Sequence, residues 1–154
     1  MIIDSEMLDS LSAEAGTSPR RRKNRNFHVA DASPCNRLLN AIEPDSYVQP
    51  HRHSDPEKGE TILLLKGKLG VLFFSEAGEV VRQWVLDPAT GKYGINVPFG
   101  TIHSVLALAP GTVFFEAKSG PYVPISDAER VDWAPTEGDP AVPLYLEMMR
   151  SRFA

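Results

Sequence analysis

The sequence predicts an all-β domain, a β-sandwich or a β-barrel, with short helices only near its two ends. Between residues 27 and 118, short apolar runs alternate with clusters of Gly, Pro, Asn and Asp. Such punctuation is typical of about eight or nine short strands that are joined by turns. Apolar residues at helical spacing occur in residues 4–15 and 139–152, outside this region. The strands are therefore expected to build the core.

The two helices have recognisable ends. For the first, over residues 4–15, Asp4 or Ser5 can cap the free amides and Gly16 can end the helix. The second is expected to begin with Asp139 as its cap and to have a proline in its first turn. Its apolar stripe predicts packing against the sheet and consists of Val142, Tyr145, Leu146, Met149 and Phe153.

The strands are separated by turn residues. Gly67 and the lysine after it split two apolar runs, a pattern that predicts a β-hairpin. In the first run, Ile62 and Leu64 lie on one face. Leu63 and Leu65 lie on the other, so both faces need a cover, and we expect a homodimer. The predicted strands cover residues 37–43, 47–49, 61–66, 69–75, 80–86, 95–97, 102–108 and 112–118.

The composition indicates one domain of ordinary hydrophobicity. A chain of 154 residues, 42% of them hydrophobic, can bury a core of its own. The net charge of −4 argues against nucleic acid as the main partner. The single cysteine, Cys35, excludes an internal disulfide and favours a cytoplasmic location. We expect neither a signal peptide nor membrane association, because no apolar run approaches the ~20 residues that span a bilayer.

We expect one globular domain in three parts. Residues 1–26 form an N-terminal helix and a basic arm, residues 27–120 the barrel, and residues 121–154 a C-terminal extension and helix. Five of the sixteen basic residues lie within residues 20–25. Three interpretations stay open: a flexible solvated segment, a nucleic-acid tail, which the acidic remainder disfavours, or an anion-binding arm that folds against the barrel mouth.

Three of the four histidines lie in two short motifs. His51 and His53 are two residues apart, so in a strand both imidazoles point to the same side. Glu60 opens the next extended run, and His103 comes from a different strand. Three imidazoles and one carboxylate suit one divalent transition metal, which we take as Zn, Fe, Ni or Mn. Glu57 is the alternative carboxylate, although it lies in a predicted loop.

The His-x-His pair, a Glu before a turn Gly, and the downstream Pro-x-Gly-x-x-His resemble the two signature motifs of the cupin superfamily. This resemblance implies a cupin-type jelly-roll β-barrel. It also favours Glu60 over Glu57, because Glu60 keeps the superfamily's spacing to Gly67. The gap from His53 to Glu60 is longer than usual in cupins.

A narrower resemblance runs from about residue 3 to residue 138. These motifs are similar to the WbuC family of cupin-fold metalloproteins, which is encountered among bacterial surface-polysaccharide genes, including O-antigen clusters. It implies a fold and a metal but assigns no catalytic residue. The motifs that carry it are Ser18-Pro19-Arg20-Arg21, Asn26-x-His28, Leu39-Asn40-Ala41-x-Glu43-Pro44, Pro50-His51-Arg52-His53, Lys118-x-Gly120-Pro121-Tyr122 and Trp133-Ala134-Pro135-x-Glu137.

Two functions are compatible with these observations. The first is an enzyme whose metal acts on a small anionic or sugar-derived molecule. The second is a non-catalytic module in which the metal stabilises the fold and the pocket binds or senses a ligand. In either case the candidate ligand-binding residues are polar groups near the motifs: Arg20, Arg22, Arg25, His28, Arg37, Asn40, Tyr47 and Lys118.

Overall fold

The computed structural model describes residues 1–154 and contains two α-helices and eight strands. Two single 3-10 turns, Pro88–Thr90 and Asp127–Glu129, lie in connections. The elements are α1 (Ser5–Thr17), β1 (Arg22–Asn26), β2 (Cys35–Ile42), β3 (Glu60–Lys66), β4 (Leu69–Phe74), β5 (Val80–Leu86), β6 (Gly94–Val97), β7 (Ile102–Ala107), β8 (Thr112–Ser119) and α2 (Val142–Ser151).

The strands form two antiparallel sheets, which confirms the prediction of an all-β jelly-roll fold with short helices near the ends. The larger sheet has the order β1-β2-β8-β3-β6, and the smaller one has the order β5-β4-β7. The sheets stay separate and do not close into a barrel. Their inner faces pack on each other through residues such as Ile62 and Phe114 from the larger sheet and Val71 and Val105 from the smaller.

Each helix covers the outer face of one sheet. Leu11 and Ala15 of α1 pack against Leu39 and Val113 of the larger sheet. The predicted apolar stripe of α2 packs against the smaller sheet, as expected. Neither helix combines the length and the apolar character that crossing a membrane would require.

The helix boundaries differ slightly from the prediction. The side chain of Asp4 caps α1 by accepting a hydrogen bond from the N–H of Met7 at 3.0 Å. At the other end of the chain, α2 begins at Val142 and not at the predicted Asp139. Asp139 instead accepts a hydrogen bond from the N–H of Ala141 at 2.8 Å, in the turn that leads into the helix.

The predicted hairpin at Gly67 is wrong. The strands on its two sides, β3 and β4, belong to different sheets, so Gly67 carries the chain from one sheet to the other. Gly67 has a φ of +83°, and a Cβ atom here would lie 2.4 Å from Thr112 Oγ1. The position therefore requires glycine for its backbone angle and for its close approach to β8.

The basic segment is ordered, in contrast to the flexible segment that was the first interpretation. Residues 22–26 form strand β1, which pairs antiparallel with β2 at the edge of the larger sheet. Arg22 lies opposite Ile42, and Asn24 lies opposite Asn40. This pairing places alternate residues of the basic segment on the inner face of the sheet.

Candidate metal centre

The backbone brings the two histidine motifs together. His51 lies in an extended segment that pairs with β7, and its N–H donates to the carbonyl of His103 at 3.1 Å. The N–H of His103 donates back to the carbonyl of His51 at 2.9 Å. His53 follows two residues later on the same side. One ring nitrogen from each of the three histidines lies within 4.8 Å of the others.

Hydrogen bonds fix the orientation of two of these rings. Nδ1 of His51 lies 2.9 Å from the carbonyl oxygen of Gln49, and Nδ1 of His103 lies 2.9 Å from that of Thr101. A carbonyl oxygen only accepts, so each Nδ1 must carry the proton. In the neutral rings the lone pair is then on Nε2. Backbone carbonyls often orient metal-binding histidines in this way.

Glu60 is buried at the start of β3 and faces the histidines. Its Oε1 lies 2.8 Å from Nε2 of His103, and its Oε2 lies 3.3 Å from Nε2 of His53. Burial raises the pKa of Glu60, but the hydrogen bonds and charges of the imidazoles outweigh it and hold the pKa well below its usual range. Glu57, the alternative, is exposed in the preceding turn. The structure thus brings Glu60 against the histidines.

The same environment shifts the pKa values of His51 and His103 in opposite directions. Burial and the neighbouring His103 lower the pKa of His51 to about 3, so this ring is neutral at physiological pH. Burial also lowers the pKa of His103, but its hydrogen bond to Glu60 reverses the effect and raises the pKa. Nε2 of His53 is buried and, although close to Glu60, has no hydrogen-bond partner in suitable geometry.

These residues fit a divalent transition metal. Three imidazoles and one carboxylate converge, their nitrogen and oxygen donors suit Zn, Fe, Ni or Mn, and the buried His53 Nε2 lacks a partner within the protein. His51, His53, Glu60 and His103 would hold the ion. The three histidines of this predicted set form the cluster and Glu60 lies against two of them, and the ligand set itself stays a prediction.

The cluster of His51, His53, Glu60 and His103 opens into a cavity of about 450 Å³ between the sheets. Its floor contains His51, Glu60 and His103. A volume of this size is within the range of about 300–1,000 Å³ that small-molecule sites occupy. The polar residues on its walls are Arg20, Arg22, Lys23, Asn24, Asn40, Glu116, Lys118 and Tyr122.

Strand β8 contributes two charged side chains to the cavity wall. Nζ of Lys118 lies 3.1 Å from Glu116 and 3.7 Å from Glu60. Burial raises the pKa of Glu116, and the charge of Glu60 raises it further against the opposing effect of Lys118. Burial lowers the pKa of Lys118, but the two carboxylates outweigh it and raise the pKa. Asn40 Nδ2 donates to Glu116 at 2.9 Å.

Two arginines at the cavity mouth share one carboxylate. Arg20 donates from Nε and Nη2 to the two oxygens of Glu137 at 2.7 and 2.6 Å. Arg22 donates to the same carboxylate at 2.8 Å and to the carbonyl of Tyr47 at 2.8 Å. The hydrogen bonds from Arg20 lower the pKa of Glu137, in spite of partial burial. An ordered ion-pair cluster therefore lies in the segment for which an anion-binding arm was one of three open interpretations.

The eight predicted ligand-binding residues divide into two groups. Four of them line the cavity: Arg20, Arg22, Asn40 and Lys118. The other four do not. His28 lines an adjoining cavity, and its Nδ1 accepts from the N–H of Arg37 at 3.2 Å. Arg25 and Arg37 are exposed and line neither cavity. Tyr47 is buried in the core behind the smaller sheet, and its hydroxyl donates to Pro135 at 2.8 Å.

Sequence reasoning missed Glu116 and Glu137. Glu116 had a local signal, because it is two residues from Lys118 and two from the buried Phe114, so all three share one face of β8. Glu137 was part of a sequence motif but was given no role in the site, because it lies 115 positions from Arg22 in the chain. Only the folded arrangement of the C-terminal extension brings it to the cavity.

Comparisons with known proteins agree with this fold. Residues 3–86 match the family model described as a domain of unknown function, DUF6016. No curated protein matches the sequence. Among solved structures, KdgF from Halomonas sp. is 15% identical with a TM-score of 0.53 over 70% of this chain and 85% of its own.

Two further structures give the same result. A cupin superfamily protein from Desulfitobacterium hafniense DCB-2 is 13% identical, with a TM-score of 0.52 over 71% of this chain and 86% of its own. A conserved protein of unknown function from Streptococcus pyogenes is 10% identical, with a TM-score of 0.54 over 80% and 90%. Identities this low bear on the fold alone. The chain has a cupin fold with a histidine cluster that can hold a metal, and it belongs to the DUF6016 family.

Proposed function

We propose that this protein is a metal-dependent cupin that binds and acts on a small anionic, sugar-derived molecule. The observation that carries the proposal is the cluster of His51, His53, Glu60 and His103 on the floor of a cavity with cationic and amide groups on its walls. The resemblance of the sequence motifs to the WbuC family supports a role in bacterial surface-polysaccharide biosynthesis, such as that of O-antigen. We place this role in the cytoplasm, where nucleotide-linked sugars are available.

Charge favours an anionic ligand. A divalent ion that binds three neutral imidazoles and one carboxylate keeps a net charge of about +1 and supplies Lewis acidity to a ligand oxygen. The charges of Lys118 and Glu116 cancel when both are ionised, and Arg22 stands at the mouth. The loaded cavity is therefore positive in a protein whose net charge is −4. Such a field attracts oxyanions to this site in preference to the rest of the surface.

Glu116 favours an enzyme over a sensing module. It is a largely buried carboxyl group on the cavity wall, and burial raises its pKa. A buried carboxyl group on a cavity wall, with its pKa raised above the usual range, is the kind of group that general acid–base catalysis uses. Asn40 and Lys118 hold its two oxygens in position. A module that only senses a ligand has no need of this group.

The test has two stages. Elemental analysis of the purified protein should find about one divalent metal per chain, and the double variant His51→Ala/His103→Ala should lose it. Calorimetry should then find that phosphate and D-glucuronate bind the metal-loaded protein more tightly than the chelator-treated protein. Full metal content in the double variant, or equal affinities with and without metal, would contradict the proposal.

A further inference from the structure

The main cavity adjoins a second cavity, called the extension, and four of the ten residues that line it have side-chain amides. This extension has a volume of about 340 Å³. It shares Asn24, Asn40, Glu116, Lys118 and Tyr122 with the main cavity, so the two cavities adjoin each other. Asn26, His28, Asp31, Asn36 and Leu38 line the extension but not the main cavity.

The pairing of β1 with β2 places the amides on one face. Asn24 and Asn26 are two residues apart on β1, and Asn36 and Asn40 are four residues apart on β2. Asn24 lies opposite Asn40 across the pair. Side chains two or four positions apart point to the same side of a strand. Four of the chain's asparagines therefore face the same cavity.

Asn36 is the unusual member of this set. It is 2% exposed, and neither its Nδ2 nor its Oδ1 has a hydrogen-bond partner in the protein. Asn40, by contrast, donates to Glu116 at 2.9 Å. Buried side-chain polar groups nearly always have a partner. Asn36 thus has an unpaired NH₂ group and an unpaired carbonyl oxygen, and it belongs to the lining of the extension.

We propose that this amide-lined extension, residues 24, 26, 36 and 40 together with Glu116, is a subsite for the hydroxyl groups of a sugar ring, with Asn36 as the specificity-determining residue. The inference rests on the proposed function and names the ligand class of that site. A hydroxyl group donates and accepts one hydrogen bond at once, and a carboxamide matches it with an NH₂ donor and a carbonyl acceptor. An anionic group on the same molecule would lie toward Lys118 and the metal centre.

The test compares Asn36→Leu with Asn96→Leu. Leucine has the same number and branching of side-chain heavy atoms as asparagine, and Asn96 is exposed on the edge strand β6, away from both cavities. Calorimetry on the metal-loaded proteins uses D-glucuronate, D-glucose and acetate as probes. Asn36→Leu should bind both sugars about tenfold more weakly, the loss of two hydrogen bonds, and acetate equally well. Asn96→Leu should resemble the wild type with all three probes.

Thermal unfolding separates ligand binding from a structural role. The amide of Asn36 has no partner in the protein, so Asn36→Leu should leave the Tm of the ligand-free protein unchanged or raise it. A lower Tm would show that Asn36 supports the fold and would overturn the inference. Asn26→Ala, on the edge strand, is a second variant that should weaken sugar binding severalfold without affecting folding.

The outcomes are distinguishable from failure of the proposed function. If wild type and Asn36→Leu hold metal and bind D-glucuronate equally, the unpartnered amide binds water only and the subsite is wrong, while the metal-dependent function stands. If the wild type binds acetate but neither sugar, the sugar assignment is overturned. If the wild type holds no metal, the proposed function itself fails.

Discussion

Replacement of Glu60 by Gln should remove most of the stabilisation that a bound metal gives to this protein. Glu60 is 5% exposed, and its two carboxylate oxygens lie 2.8 and 3.3 Å from the ring nitrogens of His103 and His53. Gln keeps the shape but not the charge. Removing one partner of a buried charged contact costs about 3–5 kcal/mol, so metal affinity should fall at least about a hundredfold.

The effect is large enough to read from thermal unfolding. A metal at 100 times its Kd stabilises the wild type by about 2.7 kcal/mol. For a chain of 154 residues this raises Tm by about 8 °C. At the same metal concentration the variant would be at its own Kd, where stabilisation is about 0.4 kcal/mol and the shift about 1 °C. The shift is compared within each variant, so a change in metal-free stability cancels.

Glu57→Gln is the matched control, because Glu57 is exposed in the turn before β3. It should show the full shift of about 8 °C. The assay is differential scanning fluorimetry of chelator-treated protein with Zn²⁺, Mn²⁺, Fe²⁺ and Ni²⁺ in turn. A full shift in Glu60→Gln would refute the ligand assignment. Loss of the shift in Glu57→Gln alone would move the carboxylate ligand to the loop.

Three further predictions concern other parts of the molecule. Burial holds the pKa of His51 at about 3, below its unfolded value of about 6.5, so its stabilising contribution is lost as the pH falls between these values. Urea unfolding of the metal-free protein should show that, between pH 7 and pH 5, the wild type loses about 2 kcal/mol more of its free energy of unfolding than His51→Ala does, while the raised pKa of His103 acts in the opposite direction in both proteins. Glu137→Gln should strengthen phosphate binding severalfold, because Arg20 and Arg22 lose their charged partner. Arg22→Ala should weaken phosphate binding about tenfold. Calorimetry measures both affinities, and unchanged values would contradict this prediction. We also predict a homodimer through the outer face of β3, where Leu63 is 44% exposed. In sedimentation experiments, Leu63→Arg should dissociate the dimer, and the control Leu144→Arg, on α2, should leave it intact. A monomeric wild type at tens of micromolar, a concentration chosen for a stable interface, would refute the prediction.

Local patterns in the sequence predicted the parts of this structure that depend on near neighbours. The period-two spacing of His51 and His53 correctly placed both rings on one side, and the helical spacing of apolar residues identified the packed face of α2. These features succeed because backbone geometry within one element fixes which side chains share a face.

Pairings between distant segments were not predictable in the same way. The Gly67 turn has the residue chemistry of a hairpin, but the strands beside it find their partners elsewhere, β3 with β8 and β4 with β7. The five charged residues of the basic segment predict a solvated, flexible segment. In the structure, pairing with β2 orders it instead. In both cases tertiary contacts outweigh the local preference.

The cavity mouth and the predicted metal-binding residues come from different regions of the chain. Arg22, from the N-terminal strand, and Glu137, from the C-terminal extension, meet at the mouth, whereas the two strands that carry Glu60 and His103 lie in the middle of the chain. Substitutions in the two terminal segments can therefore change the cavity mouth without changing the residues that are predicted to bind the metal. Exchange of both terminal segments between relatives should transfer the anion preference of the cavity mouth as a unit, and a fusion tag at either terminus is best tested for its effect on ligand entry.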